Sequence, residues 1–226
     1  MNEVDYSTNP NQRTPCVLVL DASASMEEEG PDGKTAIAAL NEGLRKFEEH
    51  LREDDTAMTR VQLAIISVGG PSWDGEANIL MDWTDVVNFS AFELQSGGET
   101  PLGKGIQMAL DLVEDCKSDL RSAGISYTRP WMMVISDGYS TDTDVWEQAA
   151  ADCRQAEADK EVKIYPIAVE GADLDTLAEI SAEESPIGLQ DIKFDELFKW
   201  LSNSLSVTAG GGGALPSMDP WRNVRI

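Results

Sequence analysis

Continuous apolar runs alternate along this chain with longer stretches in which apolar residues recur every three or four positions. A run without alternation is typical of a strand buried on both faces, whereas the three-to-four spacing is typical of a helix with one buried side. The runs predict strands at 16–20, 61–68, 131–136, 163–169 and 187–189, and a shorter strand at 78–83. The spaced segments predict helices at 34–51, 103–120, 174–180 and 194–204. They also predict a further helix that Asp144 caps, with Glu147 as the paired residue at the third position.

This regular alternation predicts an α/β fold with a mostly parallel central sheet and helices on both faces. The short strand at 78–83 is expected at the edge of the sheet and antiparallel to its neighbour. We expect one domain at 14–206, preceded by a polar arm at 1–13. Glycines at 210–213 predict a hinge within the segment 207–226, which ends in a partly apolar tail. That tail either docks on its own domain, docks on a partner or is a frayed terminus.

Composition narrows the class of protein. The chain has 226 residues and a net charge of −24, and such a charge repels the phosphate backbone of nucleic acids. It favours protein partners with basic surfaces. No apolar stretch approaches 18 residues and the first fourteen residues lack the apolar core of a signal peptide, so we expect neither a membrane span nor secretion. Cys16, Cys116 and Cys153 fall on predicted core faces, which favours buried reduced thiols in a cytoplasmic protein.

Oxygen-bearing side chains follow the first predicted strand at alternate positions. Asp21 closes the apolar run, and Ser23 and Ser25 come after it in a tight loop. In such a loop, side chains at every second position can turn their oxygens to one point. Taken alone the pattern is weak, because Asp and Ser also form ordinary turns and helix caps.

Two further segments strengthen the interpretation. Asp137 follows the strand at 131–136 as Asp21 follows the first strand, and the carboxyl ends of parallel strands share one edge of a sheet. Thr100 lies in a loop behind a pair of glycines, at the start of a predicted helix. Two carboxylates and three hydroxyls, without thiolate or imidazole, are ligands suited to a hard divalent cation such as Mg²⁺. A metal held by so few protein charges can accept a further oxygen ligand from a partner protein.

The arrangement of Asp21, Ser23, Ser25, Thr100 and Asp137 resembles the metal-ion-dependent adhesion site of von Willebrand factor A domains. The resemblance extends from about residue 14 to residue 205. The segments 97–103, 135–138 and 194–200 are similar to those of compact bacterial A-domain proteins of the tellurite-resistance TerY type. One departure is Ala24, where that family usually has Gly.

The resemblance implies a Rossmann-like A-domain fold and a bound cation held by these five residues, with Mg²⁺ expected and Mn²⁺ or Ca²⁺ possible. It also implies capture of a carboxylate on a partner protein. Proteins of the TerY type are associated with partner kinases and phosphatases in stress-response and phage-defence gene clusters. We therefore expect a cytoplasmic interaction module in such a system.

Two sequence features suggest other chemistry. Gly98, Gly103 and Lys104 match most of a phosphate-binding loop, but Gly105 stands where that loop needs Ser or Thr, and Pro101 removes an amide donor. Nucleotide binding is therefore disfavoured. An acidic run at 27–29, with Asp32, is either a solvated surface or a rim that attracts a cationic partner.

Three functions compete at this point. The first is the metal-dependent interaction module, which is not an enzyme. The second is a metal-dependent phosphohydrolase, because Mg²⁺ sites built from oxygen ligands also serve phosphoryl transfer. Against it, the sequence offers no general base, no second metal cluster and no basic group for a phosphate apart from Lys104. The third is a structural α/β subunit whose loops bind nothing.

Overall fold

A six-stranded sheet forms the centre of the protein in a computed structural model, which describes residues 9–29, 33–71, 75–169, 171–189, 194–211 and 213–216. The strands are β1 (Thr14–Ala22), β2 (Val61–Gly69), β3 (Ala77–Asp85), β4 (Trp131–Ser136), β5 (Lys163–Ala168) and β6 (Ile187–Gly188). Their spatial order is β3-β2-β1-β4-β5-β6. Only the β2–β3 pair is antiparallel among the described pairings. The predicted fold class is therefore confirmed, with the antiparallel strand at the edge.

Helices cover both faces of this sheet. They are α1 (Ala36–Arg52), α2 (Asp55–Arg60), α3 (Leu102–Ser122), α4 (Thr143–Ala158), α5 (Leu174–Ala178) and α6 (Phe194–Ala209). On one face α1 packs against α6, and on the other α3 packs against α4. Leu18 and Leu20 of β1 join the first core, while Val17 and Val19 join the second. This two-sided burial explains why β1 is apolar without alternation.

Three local features differ from the sequence prediction. The helix α2 was not predicted, and it is a six-residue element capped by Asp54, whose carboxylate accepts from Thr56 N–H and Ala57 N–H. Helix α4 begins at Thr143 with Asp142 as its N-cap residue, so the cap expected at Asp144 was wrong by two residues. Helix α6 continues to Ala209, past the predicted end at 204.

The described part of the C-terminal tail returns to the domain. The indole N–H of Trp200 in α6 donates to the Pro216 carbonyl at 2.9 Å. Trp200 also stacks on Trp131, with ring centroids 6.1 Å apart. Leu215 remains 36% exposed. The tail residues Trp221, Val224 and Ile226, and the acidic Asp32, lie outside the described residues.

The register of the central strands places the candidate ligands together. Leu20 of β1 lies opposite Ile135 of β4 in the parallel pairing, so both strands end at the same level. Asp21 and Asp137 therefore leave neighbouring strands at one edge of the sheet, as the sequence prediction required.

Close packing of α3 on the sheet depends on Gly105. A Cβ at this position would lie 2.3 Å from Val68 Cγ1 and 3.3 Å from Val19 Cγ1. Helix α3 can approach β1 and β2 this closely because no side chain intervenes. The approach fixes the start of α3, and hence the loop that carries Thr100.

We expect Gly105→Ala to destabilise the protein by about 1–3 kcal/mol through overpacking. An alanine in a helix interior normally gains about 1 kcal/mol over glycine, so the expected sign is reversed here. Gln107→Ala on the same helix, at a half-buried position, is the control. Urea unfolding of the three proteins measures the difference, and a more stable Gly105→Ala protein would contradict this account of the packing.

Candidate metal centre

Asp21 lies near the carboxyl end of β1 and is fully buried. Its Oδ1 accepts a hydrogen bond from the backbone N–H of Ser23 at 2.9 Å, which turns the chain out of the sheet. Its Oδ2 accepts one from the hydroxyl of Ser136, the last residue of β4, at 2.6 Å. The carboxylate is thus held on both sides, by its own loop and by the neighbouring strand.

Ser23, Ser25 and Asp137 continue this cluster toward the surface. The hydroxyl oxygens of Ser23 and Ser25 are 3.0 Å apart, and the Ser25 hydroxyl donates to Asp137 Oδ2 at 2.6 Å. The other oxygen of Asp137 accepts from Tyr139 N–H at 3.0 Å. Ser25 is exposed, whereas Ser23 and Asp137 are buried. The cluster therefore opens to solvent at Ser25.

Thr100 reaches the same place through its loop. The Ala24 N–H donates to the Gly98 carbonyl at 3.3 Å, which joins this loop to the one after β1. The Thr141 N–H donates to the Thr100 carbonyl at 2.9 Å, which joins it to the loop after β4. Thr100 is only 5% exposed. Backbone hydrogen bonds thus fasten together the three loops that carry the five predicted ligands.

A glycine lets these loops meet. Gly69 ends β2 with φ +79°, in the left-handed region that side chains disfavour. A Cβ there would lie 2.7 Å from the backbone N of Ser23 and 2.8 Å from the Glu99 carbonyl oxygen. The loop after β1 and the loop before α3 can therefore both lie against the end of β2.

Burial sets the acidity of Asp21. Removal of its carboxylate from water raises the pKa to about 6, and repulsion from Asp137 acts in the same direction. Hydrogen bonds from Ser136 and Ser23 act the other way and lower it. The described residues include no cation in a salt bridge with either carboxylate. Two acidic groups therefore share a buried edge without a compensating charge from the protein.

This donor set fits a small hard cation. Its groups are two carboxylates and the hydroxyls of the Ser and Thr residues, which are oxygen ligands of the kind that Mg²⁺ accepts. No group of three or more His, Cys, Asp or Glu side chains suited to a metal occurs in the described part of the chain. The three cysteines are free and buried, as predicted.

Sequence reasoning missed two residues that hold the site in place. Ser136 links the strands, because its hydroxyl donates to Asp21 and accepts from Gly138 N–H at 3.0 Å. Asp142 receives the N–H groups of Gly103 and Lys104 at 3.0 and 2.8 Å, at the first turn of α3. In the sequence, the only indication of these roles is that Ser136 has a hydroxyl and Asp142 a carboxylate. Ser and Asp are both common in turns, so neither residue could be singled out.

Asp142 also explains why the partial phosphate-binding loop is not one. A phosphate would have to take the amides at the start of α3, and this carboxylate already accepts from two of them. The ammonium group of Lys104 points elsewhere, to the Gly75 carbonyl at 3.0 Å and the Glu76 carboxylate at 2.9 Å. The Asp142 carboxylate thus occupies the position at the N-terminus of α3 that a phosphate would take.

A family model now decides the classification. The model of the von Willebrand factor type A domain matches residues 16–199, which is more than half of the chain. The chain belongs to this family. The matched range contains all five candidate ligands and the six described strands, except for the first two residues of β1. A domains of this type are protein-interaction and adhesion modules and are typically not enzymes.

Solved structures show the same fold. The pilus adhesin SpaC from Lactobacillus rhamnosus GG, in its open conformation, superposes with a TM-score of 0.68 at 12% identity, over 88% of this chain and 31% of that one. Proximal thread matrix protein 1 from the mussel byssus gives 0.55 at 16% identity, over 89% and 47%. This A domain thus spans about a third and about half of those proteins. No curated protein matches it in sequence. No described helix is long and apolar enough to cross a bilayer.

The raised pKa of Asp21 predicts a pH-dependent stability in the presence of a chelator. The protonated carboxyl favours the folded state below the unfolded-state pKa near 3.8, and this contribution is lost as the pH rises through about 6. Relative to Asp21→Asn, the wild-type protein should lose about 2 kcal/mol of unfolding free energy between pH 4 and pH 7. Urea unfolding at several pH values measures this difference. Asp144→Asn is the control, and a constant difference between wild type and Asp21→Asn would contradict the assignment.

The role of Asp142 can be tested by stability and amide exchange. Asp142→Ala leaves two N–H groups at the start of α3 without their acceptor, which should cost about 1–3 kcal/mol. Asp144→Ala removes an exposed carboxylate from the same turn of α4 and should cost much less. Hydrogen exchange should accelerate at Gly103 and Lys104 in the first variant only. Equal losses in the two variants would rule out the proposed contact.

Proposed function

We propose that this A domain binds a divalent cation, Mg²⁺ in the first place, and uses it to capture a carboxylate on a partner protein. Asp21, Ser23, Ser25, Thr100 and Asp137 are the proposed ligands. The hydroxyls would contribute oxygens directly, and the carboxylates would contribute charge, either directly or through water. The cation supplies an electrophilic position for an outside oxygen ligand.

One observation carries this proposal. Asp21 and Asp137 lie at the ends of neighbouring strands, joined through Ser23 and Ser25, with no cationic partner among the described residues. Burial and mutual repulsion make this arrangement costly for the protein alone. A divalent cation removes the cost, because it favours the ionised form of both carboxylates. Mn²⁺ and Ca²⁺ have the same preference for oxygen and are the other candidates.

The exposure of the cluster supports an outside ligand. Asp21 and Ser23 form its buried floor, while Ser25 is exposed at its mouth. A cation between these groups is accessible from one side. Because the protein offers only two carboxylates, a bound divalent cation keeps enough positive character to attract a third carboxylate.

The cellular setting of this interaction is inferred from the sequence resemblance. Similarity to the tellurite-resistance TerY type favours a cytoplasmic protein of a bacterial stress-response or phage-defence system. It also favours a kinase or phosphatase as the partner. The carboxylate would then be an Asp or Glu side chain on that enzyme.

The surroundings of the site do not favour a phosphohydrolase. The loops around it, 22–29, 95–101, 137–144 and 171–176, contain several Asp and Glu residues and no Lys or Arg. A phosphate ester carries negative charge that such loops repel, and phosphoryl transfer relies on basic groups or metals to neutralise that charge. We therefore propose that this A domain is not an enzyme.

Calorimetric titration with Mg²⁺ tests the metal site. Asp21→Asn should weaken Mg²⁺ binding at least tenfold, since it removes one of two charges from the site. Asp144→Asn changes the net charge equally outside the cluster and should bind as the wild type does. Mn²⁺ relaxation of water protons gives an independent readout of the same loss.

Two results would count against the proposal. Unchanged Mg²⁺ affinity in Asp21→Asn would refute the ligand assignment. Metal-dependent hydrolysis of p-nitrophenyl phosphate by the pure protein, abolished in Asp137→Ala, would establish the phosphohydrolase instead.

A further inference from the structure

The face that surrounds the candidate metal centre is acidic and carries one large exposed aromatic ring. Tyr139 follows Asp137 by two residues and is 59% exposed. The acidic residues on this face are Glu27, Glu28 and Glu29 on one loop, Glu99 on the next, and Asp173 and Asp175 at the start of α5. We call this set, together with Tyr139, the acidic face.

Contacts place Tyr139 next to the metal ligands. Its backbone N–H donates to Asp137 Oδ1, and its hydroxyl donates to the Gly171 carbonyl at 3.4 Å. Asp173 lies at the same place, since its N–H donates to the Asp137 carbonyl at 2.8 Å. The side chain of Tyr139 therefore extends from the cluster to Gly171, in the segment that leads to α5.

The glutamates lie on the other side of the cluster. Glu27, Glu28 and Glu29 directly follow the loop of Ser23 and Ser25 and are all exposed. Glu27 accepts a hydrogen bond from the Ser96 hydroxyl at 2.9 Å, which places it against the loop that leads to Thr100. Acidic groups thus flank the site on two sides, and the loops between them contain no basic residue.

This charge pattern constrains any ligand of the metal. A lone carboxylate is attracted by the cation but repelled by the surrounding acids. A carboxylate that stands beside a cationic side chain meets attraction from both. An exposed tyrosine offers a flat surface on which a guanidinium group can stack. Acidic groups nearby add a separate attraction for the same positive charge.

Resting on the proposed function, we propose that the acidic face recognises a bipolar epitope: an acidic residue that binds the metal, next to an arginine that packs on Tyr139. The partner is therefore a protein whose metal-binding loop lies within a basic surface. A second copy of this chain is disfavoured as the occupant, because its net charge is also −24.

Synthetic peptides test this epitope. Each is a capped nine-residue peptide with one central Asp, flanked either by arginine or by citrulline, which has nearly the same shape without the charge. In Mg²⁺ and low salt, the arginine peptide should bind about tenfold more tightly than the citrulline peptide. Titration of ¹⁵N-labelled protein measures both affinities, and the Gly138 and Tyr139 amides should shift.

Three variants assign the effect. Tyr139→Ala should reduce the preference for arginine while leaving Mg²⁺ affinity as it was. The triple change of Glu27, Glu28 and Glu29 to Gln should also reduce this preference. It is compared at Mg²⁺ concentrations that saturate each protein, because the loss of three nearby negative charges by itself weakens Mg²⁺ binding. The matched control changes three exposed acids of α3, Asp111, Asp115 and Asp119, to Asn. It alters the net charge equally and should keep the preference.

The outcomes separate this inference from the function on which it rests. Mg²⁺-dependent binding of the Asp peptide with equal affinities for arginine and citrulline would overturn the bipolar epitope and leave the metal-dependent capture intact. The same loss of preference in the control triple variant would also overturn it, since the effect would then be one of net charge. No Mg²⁺-dependent binding of any Asp peptide at millimolar concentration would overturn both.

Discussion

The parallel pairing of β1 with β4 is the constraint on which the rest of the site depends. Because the two strands end at the same level, their following carboxylates, Asp21 and Asp137, are forced together at one buried edge. Like charges in such a place oppose folding unless something compensates for them. The hydroxyls of Ser136 and Ser25 compensate in part, by donating hydrogen bonds to one carboxylate each. The remaining electrostatic cost is what the proposed divalent cation would relieve, so the strand pairing that builds the core also favours a cation at this edge.

The apolar pattern predicted the fold because burial on both faces leaves a clear trace in the sequence. β1 sends alternate side chains into the two cores, so polar residues are absent from its centre. The run at 131–136 carries the same trace, and its predicted limits agree with β4. Strand order carries no such trace. In the structure β1 lies between β2 and β4, an order that the helical connections on both faces of the sheet determine. From the sequence we could infer only that the proposed site requires β1 and β4 to be neighbours.

Elements without a long apolar stripe were harder to predict. Helix α2 has six residues and one buried side chain, Ala57, which is too little periodicity to identify a helix. The start of α4 was misplaced because Asp144 and Glu147 resemble a capping pair, whereas the residue that matters is Asp142. Its carboxylate turns away from its own helix and accepts hydrogen bonds from two N–H groups in the first turn of α3. These donors lie 39 and 38 residues earlier in the chain. A side chain whose partners are that distant gives no local signal.

In the proposed function, metal and surface charge would act on a partner at different distances, and this difference would determine which partners the A domain selects. At physiological salt the field of exposed carboxylates extends about 8 Å before it is screened, whereas a coordination bond forms only at contact, at about 2 Å. The acidic loops therefore act first, during approach, and discriminate among partners by the charge around their metal-binding residue. The cation acts afterwards and holds whichever carboxylate has been admitted. A net charge of −24 spread evenly over the surface would repel acidic partners from every direction. The loops 22–29, 95–101, 137–144 and 171–176 contain no Lys or Arg, so the repulsion is concentrated around the proposed site. In this proposal, selectivity and strength of binding come from separate residues, the first from exposed acids on loops and the second from a buried cluster at the end of two strands.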